Sequence, residues 1–284
     1  MPTVLEIIKK TTDFLASKGV ENARLNAEHL VGHGLGLQRM QLYLQFERSL
    51  SEPELENIRP LVRRRAQREP LQYIVGDTDF TTLKLKTDRR ALIPRPETEY
   101  LVELLLTRLN EPPARILDLG TGTGAIALAL AKQFPDIAVT GVDISTDALG
   151  LANENAKANG LENRIRWLQS DWYSAVPAKE RFELIVANPP YLTAAETAEA
   201  SPEVRDFEPA GALTSEGEEG LADLTAIVIG APKFLAPGGL LAMETGIAQH
   251  AALSAMVRQA GLVDGESIQD LTGRDRFFLC RAPA

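Results

Sequence analysis

Cysteine is nearly absent from this chain: Cys280 is the one thiol in 284 residues. A lone thiol can make neither an intrachain disulfide nor a cysteine-based metal site, which fits a reducing compartment, and the cytoplasm is the expected location. Histidine is scarce as well, at three. His29 and His33 are four apart on an expected helix, but no constellation of Asp, Glu and Cys accompanies them, so the pair is not read as a metal site. Long apolar runs are missing. No stretch approaches a membrane span, and residues 1–4 lack a signal peptide's basic start and apolar core. No segment repeats at a fixed period. Excess positive charge is missing too, the net charge being −9. Residues 1–75 carry 11 Lys and Arg against 9 Asp and Glu, and the remainder 19 against 30. An acidic main body argues against general affinity for nucleic acid, and no direct nucleic-acid binding is expected. What remains is an ordinary globular composition, 44% hydrophobic and 24% charged, of a length that suits one large domain and one small one.

Residues 3–68 read as helices. Val4, Leu5, Ile8 and Leu15 fall at helical spacing, with Gly19 as a stop. Residues 22–33 and 37–46 read as further helices. Ser51 to Glu54 has the form of a capping box, opening a helix to about Arg68. Arg63, Arg64, Arg65 and Arg68 form a basic cluster, read as a solvated helix face or as a docking patch for a partner. After Pro70 the texture changes. Residues 71–76 look extended, and residues 83–87 alternate as a strand does, pairing with 91–93 through a turn at 88–90. This marks a hairpin linker. Pro94, Arg95, Pro96 and Glu97 then form a stiff lead into a helix over 98–109, aiming Arg95 and Glu97 at one place.

From Arg115 onward strands and helices alternate. Strands are expected at 115–119, 138–143, 165–169, 182–187, 240–244 and 277–281, with helices at 125–132, 145–159, 219–235 and 248–260. The alternation implies an α/β fold: a doubly wound, mostly parallel sheet with ligands at the carboxyl ends of its strands. The expected division is a helical domain over 1–75, the hairpin linker over 76–93, and the main domain over 94–284. The polar stretch 192–218 is a long loop, a candidate lid or substrate wall.

Two motifs carry chemistry. Gly120, Thr121, Gly122, Thr123 and Gly124 follow a strand and precede a helix, which brings a ligand close to the backbone. Asp143 ends the next strand and can accept both hydroxyls of a ribose. These features alone leave nicotinamide and S-adenosylmethionine enzymes both open. Asp171 can accept from an adenine amino group, and Trp172 can cover the base. The second motif is Asn188, Pro189, Pro190 and Tyr191. Two prolines cannot continue a strand, so the chain leaves the sheet in a stiff loop with carbonyl oxygens outward. Such acceptors beside an aromatic ring suit a planar –NH2 group. Hydride transfer has no use for them; methyl transfer to a weak planar nitrogen does.

These residues sit within longer stretches: PLQYIVG (70–76), LIPRPETE (92–99), DLGTGTGAI (118–126), NPPY (188–191), FEP (207–209) with Ala212 and Leu213, LAPGG (235–239) and DLTGR (270–274). With them the chain resembles the protein-(glutamine-N5) methyltransferases of peptide chain release factors, the PrmC/HemK family, over nearly its whole length. The resemblance implies a Rossmann-like class I methyltransferase domain with S-adenosyl-L-methionine as cofactor and release factors as protein substrates. It implies that Gly120 to Gly124 cradle the amino-acid end of the cofactor, that Asp143 holds its ribose and that Trp172 covers its adenine. Asn188 would touch cofactor and substrate, and Asn188 to Tyr191 would grip the glutamine of a Gly-Gly-Gln tripeptide. The chain departs from the pattern at Ala187, where Ser is usual, and at Met243 to Thr245, where a Glu-Ile-Gly-like segment is common. The runner-up is a nucleic-acid amino methyltransferase, acting on adenine N6 or guanine N2 with the same acceptor loop. It would need a basic groove that the acidic main body does not offer.

Overall fold

The computed structural model describes residues 1–109, 111–217 and 219–284. Its helices in chain order are α1 (Val4–Ser17), α2 (Ala23–Leu35), α3 (Arg39–Tyr43), α4 (Glu52–Ala66), α5 (Leu71–Val75), α6 (Pro96–Arg108), α7 (Ala125–Gln133), α8 (Thr146–Ala158), α9 (Ala194–Glu199), α10 (Pro202–Arg205), α11 (Ala222–Gly230) and α12 (His250–Gln259). Its strands are β1 (Asp77–Phe80), β2 (Leu83–Lys86), β3 (Arg115–Leu119), β4 (Ala138–Asp143), β5 (Ile165–Gln169), β6 (Phe182–Ala187), β7 (Leu235–Glu244), β8 (Val263–Gln269) and β9 (Asp275–Arg281). Packing divides the chain into two units. Met1–Asp77 and Ser201–Phe207 form one; Thr78–Ala200 and Glu208–Ala284 form the other. No helix among the described residues is long and apolar enough to cross a membrane.

The first unit is helical. Thr3 and Ser51 close capping boxes with Glu6 and Glu54, which satisfies the first free N–H groups of α1 and α4. Val4, Ile8, Ala27, Val31, Leu42, Leu50 and Ile58 bring α1, α2, α3 and α4 onto one core. The expected helix over 37–46 shortens to the five residues of α3. Residues 71–75 are helical rather than extended. A five-residue apolar run fits either state, and here Gly76, at φ 88°, ends the turn in the left-handed region that glycine enters without strain.

Three of the four arginines of the basic cluster are held in ion pairs, while Arg63 is exposed. Arg65 is buried, with Nε donating to Asn26 Oδ1 at 2.7 Å and Nη2 to Glu203 Oε1 at 2.8 Å. Arg68 grips Glu203 through both oxygens, and Arg64 takes Glu69 in the same bidentate way. Glu28 is a second buried centre. It is 1% exposed and accepts from Arg24 at 2.7 Å, Arg39 at 2.6 Å and Tyr43 at 3.1 Å.

The second unit holds a seven-stranded sheet in the order β5-β4-β3-β6-β7-β9-β8. β5 through β7 are parallel, and β9 pairs antiparallel with both β7 and β8. Alternate residues point to opposite faces. Ile116 joins α6 and α7 on one side, while Leu117 and Leu119 join α11 and α12 on the other. Both faces are covered, which is why β3, β4 and β6 are nearly continuously apolar. The edge strand β8 escapes that pattern, being exposed at six of its seven positions and polar in sequence. The hairpin differs from expectation. β2 pairs with β1, not with residues 91–93. Asn155 of α8 fixes it there, exchanging hydrogen bonds with the backbone of Lys86 at 2.7 and 3.2 Å.

Burial pushes the Glu28 carboxyl up, but the hydrogen bonds from Arg24, Arg39 and Tyr43 outweigh it, and its pKa lies below the ordinary value. A depressed folded-state pKa stabilises above the unfolded value and is lost as pH falls through the folded one. Glu28→Gln should lower the stability of the helical unit by about 2 kcal/mol at neutral pH. The difference from the parent should shrink below the unfolded carboxylate pKa. Hydrogen exchange of the α2 amides across pH checks both.

Candidate active site

The parallel strands end at one edge, where a cavity of about 680 Å³ opens in the second unit. Its floor is the turn between β3 and α7. Three glycines there, Gly120, Gly122 and Gly124, have φ of 69°, 56° and 82°, values that L side chains adopt only with strain. Asp118 anchors the turn from below. It is fully buried and accepts from Thr121 Oγ1 at 2.5 Å and Ala127 N at 3.2 Å. Burial raises its carboxyl to about 7. From the side, Asn155 donates to Thr123 O at 2.9 Å. The rim is thus built from backbone held at both flanks.

Gly120, Thr121, Gly122 and Thr123 line the cavity. Gly124 is not among the lining residues. It is closely packed, since a Cβ there would lie 3.1 Å from Leu128, 3.2 Å from Ala152 and 3.2 Å from Trp167. Asp143 lines the next wall, its Oδ2 accepting from Gly122 N and its Oδ1 from Ser145 N, both at 2.9 Å. The carboxylate keeps a lone pair for a hydroxyl. Burial pushes this carboxyl up, against the three backbone N–H groups of Ser145, Gly122 and Ile144. Asp171 and Trp172 form a third wall. Trp172 has φ 45°, and its ring edge lies 3.4 Å from where a Gly120 side chain would begin. Ser170 holds this turn, donating to Trp172 O at 2.8 Å and accepting from Ala175 N at 3.0 Å.

Asn188 and Pro190 complete the cavity from the end of β6, while Pro189 is buried and Tyr191 half-buried behind them. Neither Pro189 nor Tyr191 is among the cavity-lining residues. Asn188 Nδ2 donates to Thr98 Oγ1 at 3.0 Å, and Thr98 Oγ1 donates to Glu244 Oε2 at 2.7 Å. Tyr191 OH donates to the other oxygen of Glu244 at 3.1 Å. The guanidinium of Arg276 lies 5.6 Å from the centroid of the Tyr191 ring. Glu244 ends β7 and is 1% exposed. Burial raises its carboxyl, and the bonds from Thr98 and Tyr191 with the charge of Arg276 oppose that rise. Burial likewise raises the Tyr191 hydroxyl, so it stays protonated and donates.

Thr98 and Glu244 were not singled out in the sequence. A signal was present, because an acid closing the apolar run 240–243 can be buried only if donors meet it. Arg95 pairs with Glu208 at 2.5 Å rather than with Glu97, and Ile93 N donates to Glu208 at 3.0 Å. Arg95 lines the cavity, as do Pro209, Gly211, Ala212, Thr214 and Glu216. The long loop is therefore a wall and not structureless: it carries α9, α10 and a 3-10 turn at Ala210–Ala212. Its last expected residue, Glu218, lies outside the described residues.

Residues 6–76 match the family described as PrmC N-terminal domain, and residues 98–218 the family described as Methyltransferase small domain. The chain is 43% identical over 274 residues to the release factor glutamine methyltransferase of Geobacter sulfurreducens, covering 96% of this chain and 95% of that one. It is 41% identical over 292 aligned positions to the protein of that name from Chlorobaculum tepidum, covering 99% and 97%. A methyltransferase of Pyrococcus furiosus of solved structure superposes with a TM-score of 0.54 at 18% identity, covering 72% of this chain and 91% of that one. That likeness supports the fold.

Gly124→Ala should cost about 2 kcal/mol, from the positive φ and the crowding against three packed neighbours. Gly122→Ala meets nothing nearer than Ala91 at 3.9 Å and should cost less, about 1 kcal/mol from φ alone. Chemical denaturation of the two variants gives the order.

Proposed function

The chain belongs to the release factor glutamine methyltransferases, and we propose that its cavity joins S-adenosylmethionine to the glutamine of a release factor's Gly-Gly-Gln tripeptide. The reaction is methylation of a release factor's glutamine. The site assignment rests on one observation above the others. The amide nitrogen of Asn188 is tied to Thr98, so its carbonyl oxygen is the atom left to accept from a ligand in the cavity.

The residues present fit the cofactor. A glycine turn in left-handed backbone, a carboxylate with a lone pair to spare, and an indole wall share one cavity with Asn188. Gly120, Thr121, Gly122 and Thr123 would receive its amino-acid end, Asp143 its ribose hydroxyls, and Asp171 with Trp172 its adenine. When bound, S-adenosylmethionine supplies a methyl group already activated by a sulfonium. The chain's task is then positioning. A glutamine nitrogen is a weak nucleophile because its lone pair is delocalised into the carbonyl. Asn188 Oδ1 and the Pro189 carbonyl would accept its two N–H bonds. That favours a pyramidal nitrogen and stabilises the positive charge it acquires. Orientation of this kind contributes about 7–11 kcal/mol to a bimolecular transfer. Tyr191, fixed by Glu244 at its hydroxyl, would set the plane of the incoming amide. No base is needed before attack, since the proton becomes acidic once the nitrogen is alkylated.

Labelled methyl transfer tests the assignment. Label should enter a release factor and fail to enter its Gln→Ala variant at the Gly-Gly-Gln tripeptide. Asn188→Ala should lower kcat by about 10²–10³ while leaving cofactor affinity within about threefold. Full turnover by Asn188→Ala would remove the role given to its amide. Asp143→Ala should do the converse, weakening cofactor binding about 10- to 100-fold with a smaller effect on saturated turnover.

A further inference from the structure

A terminal amide can turn by 180° about its last bond and exchange oxygen for nitrogen at little steric cost. Asn188 would then present N–H donors to the substrate's own N–H groups, and the site would repel the group it must hold. Something must decide the flip, and the end of β6 does not do so by itself. The hydrogen bonds around Thr98 do.

In its ionised form Glu244 only accepts, and that form is favoured by the two hydroxyl donors and the charge of Arg276 against the rise that burial causes. It is closed off from water and meets two hydroxyls, Thr98 Oγ1 at 2.7 Å on Oε2 and Tyr191 OH at 3.1 Å on Oε1. Thr98 has one proton, and that proton is committed to Glu244. Its oxygen therefore offers only lone pairs to its other neighbour. Asn188 meets those lone pairs 3.0 Å away and can satisfy them only with Nδ2. We propose that Thr98 and Glu244 are positioning residues that fix the amide of Asn188 with its oxygen toward the substrate. The inference rests on the reading of Asn188 given above. Thr98 lines the cavity beside Asn188, and Glu244 lies behind it, outside the lining. The direction of donation passes from a buried acid on β7, through a hydroxyl on α6, to an amide on β6. The same carboxylate holds Tyr191, so both ends of the Asn188 to Tyr191 loop are oriented by one group.

The relay also accounts for residue types. Thr98 is buried at the first turn of α6, where an apolar side chain would fill the space but leave Glu244 short of a donor. The charged and titratable groups that bear on Glu244 are Arg276 of β9, Glu97 of α6 and Tyr191.

The experiment measures kcat at saturating S-adenosylmethionine and release factor, with cofactor affinity titrated separately. Thr98→Val keeps the shape and removes the lone pairs; Thr98→Ser restores them. Thr98→Val should lose about 10- to 100-fold in kcat, with cofactor affinity and Thr98→Ser both within about threefold of the parent. Glu244→Leu frees the Thr98 proton to point at Asn188 Oδ1 and should lose as much. In an Asn188→Ala background, Thr98→Val should cost less than about twofold more, because the amide it orients is gone. Parental turnover by Thr98→Val, or a full multiplicative loss on top of Asn188→Ala, overturns the relay. Either result leaves the reading of Asn188 intact, since that falls only if Asn188→Ala itself turns over normally. If Glu244→Leu does not fold, the Thr98 pair decides alone.

Discussion

A carboxylate shut away from water must be met by donors, and Glu244 is met by two hydroxyls and a nearby guanidinium. That requirement organises the end of the sheet. It draws Thr98 down from α6 and Tyr191 back from the loop after β6, and through Thr98 it turns the amide of Asn188. The prolines take the chain out of the sheet. They do not by themselves say which atom of the asparagine faces outward. A buried charge supplies that direction, because an acceptor without protons propagates a single polarity along the hydrogen bonds that reach it.

The other half of the cavity is built on a similar principle, with backbone in place of side chains. Asp143 is held by the N–H groups of Gly122 and Ser145, and Asp118 by Thr121 and the first turn of α7. Both acids serve the glycine turn from below and behind, leaving its upper surface to a ligand. The glycines divide the work. Gly120 sits in left-handed backbone beside Trp172, while Gly124 lets α7, α8 and Trp167 close on one another. The glycine turn and Asn188 are therefore carried by adjacent strands of one sheet, β3 and β6, with their spacing set by strand order.

Much of this was legible in the chain. Alternating apolar runs and helical patterns announced the parallel sheet, because buried parallel strands are apolar on both faces. The Gly120 to Gly124 turn, Asp143 and the Asn188 loop announced the cavity, because each needs a residue type that little else explains. The failures share a cause. Residues 71–75 and strand β8 are short or polar, and their states are set by what surrounds them. The hairpin was given the wrong partner because Asn155, 69 residues from Lys86 in sequence, decides where β2 lies. Glu244 and Thr98 went unnoticed for the same reason: 146 residues separate them, and neither has a local pattern. The arginine cluster misled in the opposite sense. Its spacing resembles a solvated face, but Asn26, Glu69 and Glu203 engage Arg64, Arg65 and Arg68, leaving only Arg63 of the four exposed.

The central claim concerns where protons lie, and neutron diffraction from deuterium-exchanged crystals of the full chain locates them. The deuteron on Thr98 should point at Glu244, and two deuterons should sit on the Asn188 atom nearest Thr98, leaving the bare oxygen toward the cavity. A Thr98 deuteron aimed at Asn188, or deuterons on the cavity side of that amide, would contradict the account.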